Sequence, residues 1–222
     1  SAGLPDFDHH AVYMGPWDIM SQHLVRRGEP PAGISSFTKI RLGWINTHQA
    51  KIVKPGETSS HFLAPLSKGG ELLVVKIPLG DGTYYLVENR QPIGFDSILP
   101  DSGILVLKVS PEASEGYGTV EVKAAGGARN FNEAAYKLEA SNRNVFLDKR
   151  NNIAIIPLWN QKENFGVLIT TPDRTDNAIK AARAIKVLVD QNTKAPDNGK
   201  ENIIREAITA FGKKDFEKSY AI

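Results

Sequence analysis

The sequence predicts an α+β fold that is mostly β. Between about residues 47 and 171, apolar residues come in short runs separated by turn residues, the mark of strands. The last fifty residues switch to helical spacing. Residues 1–33 are rich in Gly, Pro, Asp and His, show little periodicity and predict an ordered loop region.

The elements follow in order. Residues 34–45 place apolar groups at Ile34, Phe37, Ile40, Leu42, Trp44 and Ile45. That spacing predicts a short helix, with Ser35 or Ser36 as cap and Gly43 near its end. Residues 71–79 and 83–90 flank Gly80-Asp81-Gly82, a hairpin signal. Further strands are predicted at 103–110, 119–123, 144–147, 152–158 and 165–171, with a polar turn at 160–164. Together they predict an antiparallel sandwich-like module or small barrel. Pro172 suits a first helical position, and Ala178, Ala182, Ile185 and Val189 then share one face, with Ile179 and Leu188 beside them. Asn198-x-x-Glu201 reads as a capping box, opening a second helix with Ile204, Ala207, Ile208 and Phe211 on its stripe. The organisation expected is a first unit at 1–46, a β module at 47–171 and a helical segment at 172–222.

Composition excludes several classes. The 222 residues are 41% hydrophobic and 23% charged, ordinary globular values, and the formal net charge of +2 demands neither nucleic acid nor an anionic membrane. There is no cysteine, so disulfides, thiolate metal sites and cysteine nucleophiles are absent together. No apolar run approaches the roughly 20 residues of a membrane span. A hydrolase triad built from Ser102, Asp96 and a histidine lacks the Gly-x-Ser-x-Gly elbow, and the Gly69-Gly70 and Gly126-Gly127 pairs lack a phosphate-loop context.

The richest segment is the first twenty residues: Gly3-Leu4-Pro5-Asp6, then Asp8-His9-His10, then Gly15-Pro16-Trp17-Asp18-Ile19-Met20-Ser21. Metzincin-like peptidases carry His-Glu-x-x-His-x-x-Gly-x-x-ligand, followed by a Met-turn beneath the metal. Placing Gly3 on that glycine puts Asp6 on the third ligand, and the two histidines and the glutamate would then precede Ser1. Gly3-Leu4-Pro5-Asp6 and Gly15-Pro16-Trp17-Asp18-Ile19-Met20-Ser21, with 34–45, Tyr84-Tyr85-Leu86-Val87-Glu88-Asn89-Arg90-Gln91 and Leu99-Pro100-Asp101-Ser102-Gly103-Ile104-Leu105-Val106, resemble five successive blocks of the immune inhibitor A family of secreted zinc metallopeptidases. The resemblance spans residues 3–109. The sequence departs from it at Phe7-Asp8-His9, where the family has Leu-Tyr-Asp.

The resemblance implies that 1–46 is the end of a zinc-peptidase domain (loop, Met-turn, helix) running into the β module. It implies Asp6 as a zinc ligand, Met20 as the Met-turn residue, and Gly3, Trp17 and Glu88 as supporting the site. It implies zinc in the complete protein, with calcium as a possible further ion, and a secreted or cell-surface location. The implied partners are an upstream segment of the same precursor and a protein or peptide substrate. Without the histidine pair the chain is expected not to be catalytic alone. The alternative is a non-catalytic β-rich extracellular structural or binding module derived from such a peptidase.

The residues themselves admit plainer roles. Asp6 after Pro5 could cap a turn, and Met20 could pack a core. His9 and His10 are adjacent, so in extended chain they point opposite ways. His23, His48 and His61 are isolated and read as surface or satisfied core histidines. Glu88 and Arg90 lie on one face of a predicted strand and are expected to form a structural ion pair, with Glu88 also able to reach the site cleft. Leu4, Trp17, Ile19 and Met20 are expected to line the floor of that cleft.

Overall fold

The computed structural model describes residues 13–21, 28, 30–114, 117–128 and 130–221. The fold is α+β and mostly β. After two 3-10 turns, Gly15–Trp17 and Ile19–Ser21, comes helix α1, Ser36–Arg41. Among the described residues nine strands follow: β1 Ala50–Ile52, β2 Ser59–Leu63, β3 Val74–Pro78, β4 Tyr84–Arg90, β5 Gly103–Val109, β6 Val120–Val122, β7 Phe146–Asp148, β8 Ile153–Gln161 and β9 Asn164–Thr170. The chain then forms the two expected C-terminal helices, α2 Thr175–Lys194 and α3 Asn198–Gly212, and a short third one, α4 Phe216–Ala221.

The strands make two sheets, ordered β1-β3-β4-β5-β6 and β2-β9-β8-β7. The second is antiparallel throughout. The first is mixed, because β1 pairs with β3 in parallel, and here the expectation of a wholly antiparallel module is corrected. The reason is topological. After β1 the chain crosses to the second sheet as β2 and returns as β3, and a strand that returns through a crossover can lie parallel to its neighbour.

Alternation along the strands sorts side chains into layers. Tyr85, Val87, Ile104 and Val106 from the first sheet meet Ile153, Ile155, Val167 and Ile169 from the second in one apolar cluster. On the outer face of the first sheet, Leu86, Leu105, Leu107 and Val109 pack with Met14, Trp17 and Phe37. On the outer face of the second, Ile156, Leu158, Trp159 and Leu168 pack with Ala178, Ala182, Ile185, Ala207, Phe211 and Phe216. The molecule is therefore a stack: N-terminal segment and α1, first sheet, second sheet, helices.

Local signals explain the element ends. Ser35 caps α1 by accepting from the Thr38 N–H, and Gly43 follows at φ 71°, the left-handed backbone favoured after a helix. The β3–β4 hairpin closes between Pro78 and Tyr84 over the predicted Gly-Asp-Gly. Two helix details differ from expectation. The cap of α3 is Asp197, one residue before Asn198, and its Oδ1 accepts from the Gly199 and Lys200 N–H groups. The α3 stripe is rotated: Ala207, Ala210 and Phe211 are buried while Ile208 is exposed. The cause is α4, which folds back so that Ser219 Oγ donates to Ala207 O at 2.9 Å and Phe216 stacks within 5.0 Å of Phe211.

Gly103 begins β5 at φ 141°, and a Cβ there would stand 2.7 Å from Tyr136 O. Backbone strain and clash therefore act together. Gly103→Ala is expected to destabilise the chain by more than about 1 kcal/mol, read as a lower urea midpoint. An unchanged midpoint would show that the β5 edge yields more easily than its geometry indicates.

Candidate functional site

The period of two along β4 puts Leu86, Glu88 and Arg90 on its outer face, toward α1 and the N-terminal turns. Leu86 joins the apolar layer there, whereas Glu88 and Arg90 form the middle of a buried polar centre. The Arg90 side chain is fully buried. Its Nε and one terminal nitrogen donate to the two oxygens of Asp96 at 2.9 and 2.7 Å, a bidentate fork. The other terminal nitrogen donates to Trp17 O at 2.8 Å and to Glu88 Oε1 at 3.0 Å. The guanidinium also lies 5.8 Å from the Trp17 ring centre. Burial opposes the charge, but Glu88 and Asp96 more than offset it and raise the Arg90 pKa.

A third carboxylate, Asp18, completes the centre. Its Oδ2 accepts from the Ser35 N–H at 2.9 Å, from Thr38 Oγ1 at 2.8 Å and from Ser35 Oγ. Its Oδ1 accepts from the Met20 N–H at 2.9 Å. Glu88 Oε2 accepts from the Ser36 N–H at 2.8 Å, which ties α1 to β4. Beside the centre, Lys39 Nζ donates to Leu66 O at 2.6 Å. Burial lowers the Lys39 pKa, against the opposing pull of Asp96 and Glu88.

The expected site residues fall as follows. Gly3 and Asp6, with His9, His10 and His23, lie outside the described residues. Trp17 is fully buried, with its Nε1 donating to Phe131 O at 2.9 Å, so it does not line an open cleft floor as expected. The first sheet needs an apolar cover, and Trp17 supplies it together with Met14 and Phe37. Met20 stands at the surface, 40% exposed, and is not core packing. Glu88 forms the expected pair with Arg90, but it cannot reach a cleft: both its oxygens are engaged and it is buried. The structure thus brings Trp17, Met20 and Glu88 to one centre through Arg90 and Asp18. His48 is exposed, and His61 sits half-buried with its Nε2 3.0 Å from Ser59 Oγ, in keeping with surface or satisfied histidines.

Asp96 is held by Arg90 through both oxygens, which removes it from any serine triad. Ser36 and Lys39 have the Ser-x-x-Lys spacing of some acyl-transfer enzymes. The Ser36 side chain is sealed from solvent, however, and its hydroxyl has no hydrogen-bond partner. Nothing there can meet a substrate. A separate cavity of about 520 Å³, lined by Val122, Phe131, Tyr136, Phe146 and Leu147 among others, shares no residue with the polar centre.

Sequence reasoning missed Asp18, Thr38 and the structural role of Asp96, and it reached Ser35 only as the cap of α1. One signal was available, since Asp18 and Ser35-Ser36 both stand inside the blocks that carried the family resemblance. Asp96 had no such signal. No family model matches the chain, and no curated protein or solved structure matches it either.

Proposed function

We propose that this chain is the downstream part of a secreted or cell-surface zinc-dependent endopeptidase resembling immune inhibitor A. In this reading it is not catalytic without the segment that supplies His-Glu-x-x-His. What supports the reading is convergence. Four of the five blocks on which the resemblance rests fall within the described residues, and all four meet around Arg90. Trp17 and Asp18 come from the first, Ser35, Ser36 and Thr38 from the second, and Glu88 and Arg90 from the third. The fourth supplies β5, whose Leu105 and Gly103 pair with Glu88 and Arg90. Met20 emerges from this centre to the surface.

Among the described residues, no three His, Cys, Asp or Glu side chains come together as a metal-holding group, and Asp6 lies outside those residues. The part played by the described residues is to carry Met20 and hold its turn. A protein or peptide would be the substrate, zinc the resident ion and calcium a possible further one. The upstream segment of the same precursor would be the partner. The exposed Met20 side chain is one that such a segment would cover. No helix among the described residues is long and apolar enough to cross a membrane.

The chain alone is expected to show no chelator-sensitive cleavage of a peptide library, because catalytic zinc needs three protein ligands and an open position. Joined to an upstream segment carrying His-Glu-x-x-His, it is expected to bind zinc and cleave. Chelator-sensitive cleavage by the chain alone, or an extended protein that binds zinc without cleaving, would overturn the reading. The second reading is a non-catalytic β-rich extracellular module. It is favoured by the closed centre, where the carboxylates of Glu88, Asp96 and Asp18 are all engaged by donors from the chain itself.

A further inference from the structure

We propose that Arg90 and Asp18 are positioning residues for Met20: they form a latch that sets the Met20 turn in place before any metal binds. This inference rests on the peptidase reading for its purpose, though not for its test. The two residues grip the same short segment at different points. Arg90 donates to Trp17 O from the sheet side, while Asp18 accepts from the Met20 N–H and turns its other oxygen to Ser35 and Thr38 of the α1 cap. The segment is thereby tied to β4 and to α1 at once. Arg90 is itself fixed by the Asp96 fork and by Glu88, and Glu88 is fixed by the Ser36 N–H. Gly33 keeps this arrangement compact, since any Cβ there would collide with Asp96 Oδ1.

The donor and acceptor count makes the residue types specific. Asp18 accepts four hydrogen bonds and donates none, so an amide in its place would turn two N–H donors toward other donors. Arg90 spends donors in three directions, and a lysine, a single point of charge, cannot keep the fork and the Trp17 carbonyl together. Every tie in the latch lies within the chain. A turn held in this way is pre-organised, and no ion is needed to order it.

The two methionines of the chain, Met14 and Met20, make this testable. Met14 is buried in the layer over the first sheet and Met20 is exposed on the turn. With methyl-labelled methionine, the full chain gives two signals, assigned by Met20→Leu. Asp18→Asn and Arg90→Lys are each expected to move the Met20 methyl signal toward its unfolded position while the Met14 signal stays. Exchange of the Met20 and Ser35 amides should rise at least tenfold, with residues 104–107 unchanged. A merely structural role would move both methyl signals together, and that result, or an unmoved Met20 signal, overturns the proposal. Should Arg90→Lys fail to fold, Asp18→Asn decides alone, since Asp18 makes its hydrogen bonds to the turn and α1 and none to the sheet. Neither readout involves zinc, so a failed latch and a failed peptidase reading remain distinct outcomes.

Discussion

Arg90→Met is expected to cost about 3–5 kcal/mol, because it strands buried carboxylates without their cation. The side chains of Arg90, Glu88 and Asp96 are all buried. In the native centre the guanidinium fork satisfies Asp96 and one terminal nitrogen satisfies Glu88 Oε1. Methionine fills part of the volume and satisfies neither. Trp17, whose ring centre lies 5.8 Å from the guanidinium, is itself buried and held by its ring nitrogen. The loss should appear as a lower urea midpoint. Adding Glu88→Gln should recover part of it, because the remaining buried charge falls by one. A cost below about 1 kcal/mol for Arg90→Met would mean that the centre opens to solvent and is not a sealed network.

The same centre shows what was legible in the sequence. Glu88 and Arg90 are two apart on a strand, so their shared face follows from the period of the strand alone, and their pairing at 3.0 Å was foreseen. The runs at 104–109 and 153–158 are legible as core strands for a different local reason, their nearly continuous apolar character, and all their residues but Lys108 are buried. The ends of α1 followed from a serine cap and a glycine. What could not be read was partnership at a distance. Asp96 lies in a 3-10 turn, and only the folded chain shows that it faces Arg90. The burial of Trp17 depends on Phe131, 114 residues away. The parallel pairing of β1 with β3 depends on where β2 goes, which no local pattern states. The rotation of the α3 stripe depends on α4, six residues too short to carry a clear period.

Removing residues 172–222 is expected to abolish cooperative folding of the remainder. The outer face of the second sheet carries Ile156, Leu158, Trp159 and Leu168, all buried beneath the helices. Exposing four such side chains forfeits about 6–12 kcal/mol at the usual value for burying a large apolar residue. A domain of this kind has about 5–15 kcal/mol in total. The deletion is thus comparable with the entire stability. Trp159 adds a specific loss, because its ring meets Phe211 edge-on at 5.4 Å and that contact goes with α3. The dependence runs both ways. The buried faces of α2 and α3 consist largely of alanines with few large residues, Ile179, Ile185 and Phe211, and most of a helix's stability comes from packing that face rather than from propensity. Residues 1–171 are therefore expected to bind hydrophobic dye and to unfold without a sharp transition. The separate helical segment should show little helix by circular dichroism, and mixing the two pieces should restore both signals. A sharp, dye-free unfolding transition in residues 1–171 would show instead that the two sheets hold themselves together and that the helical layer is an independent addition.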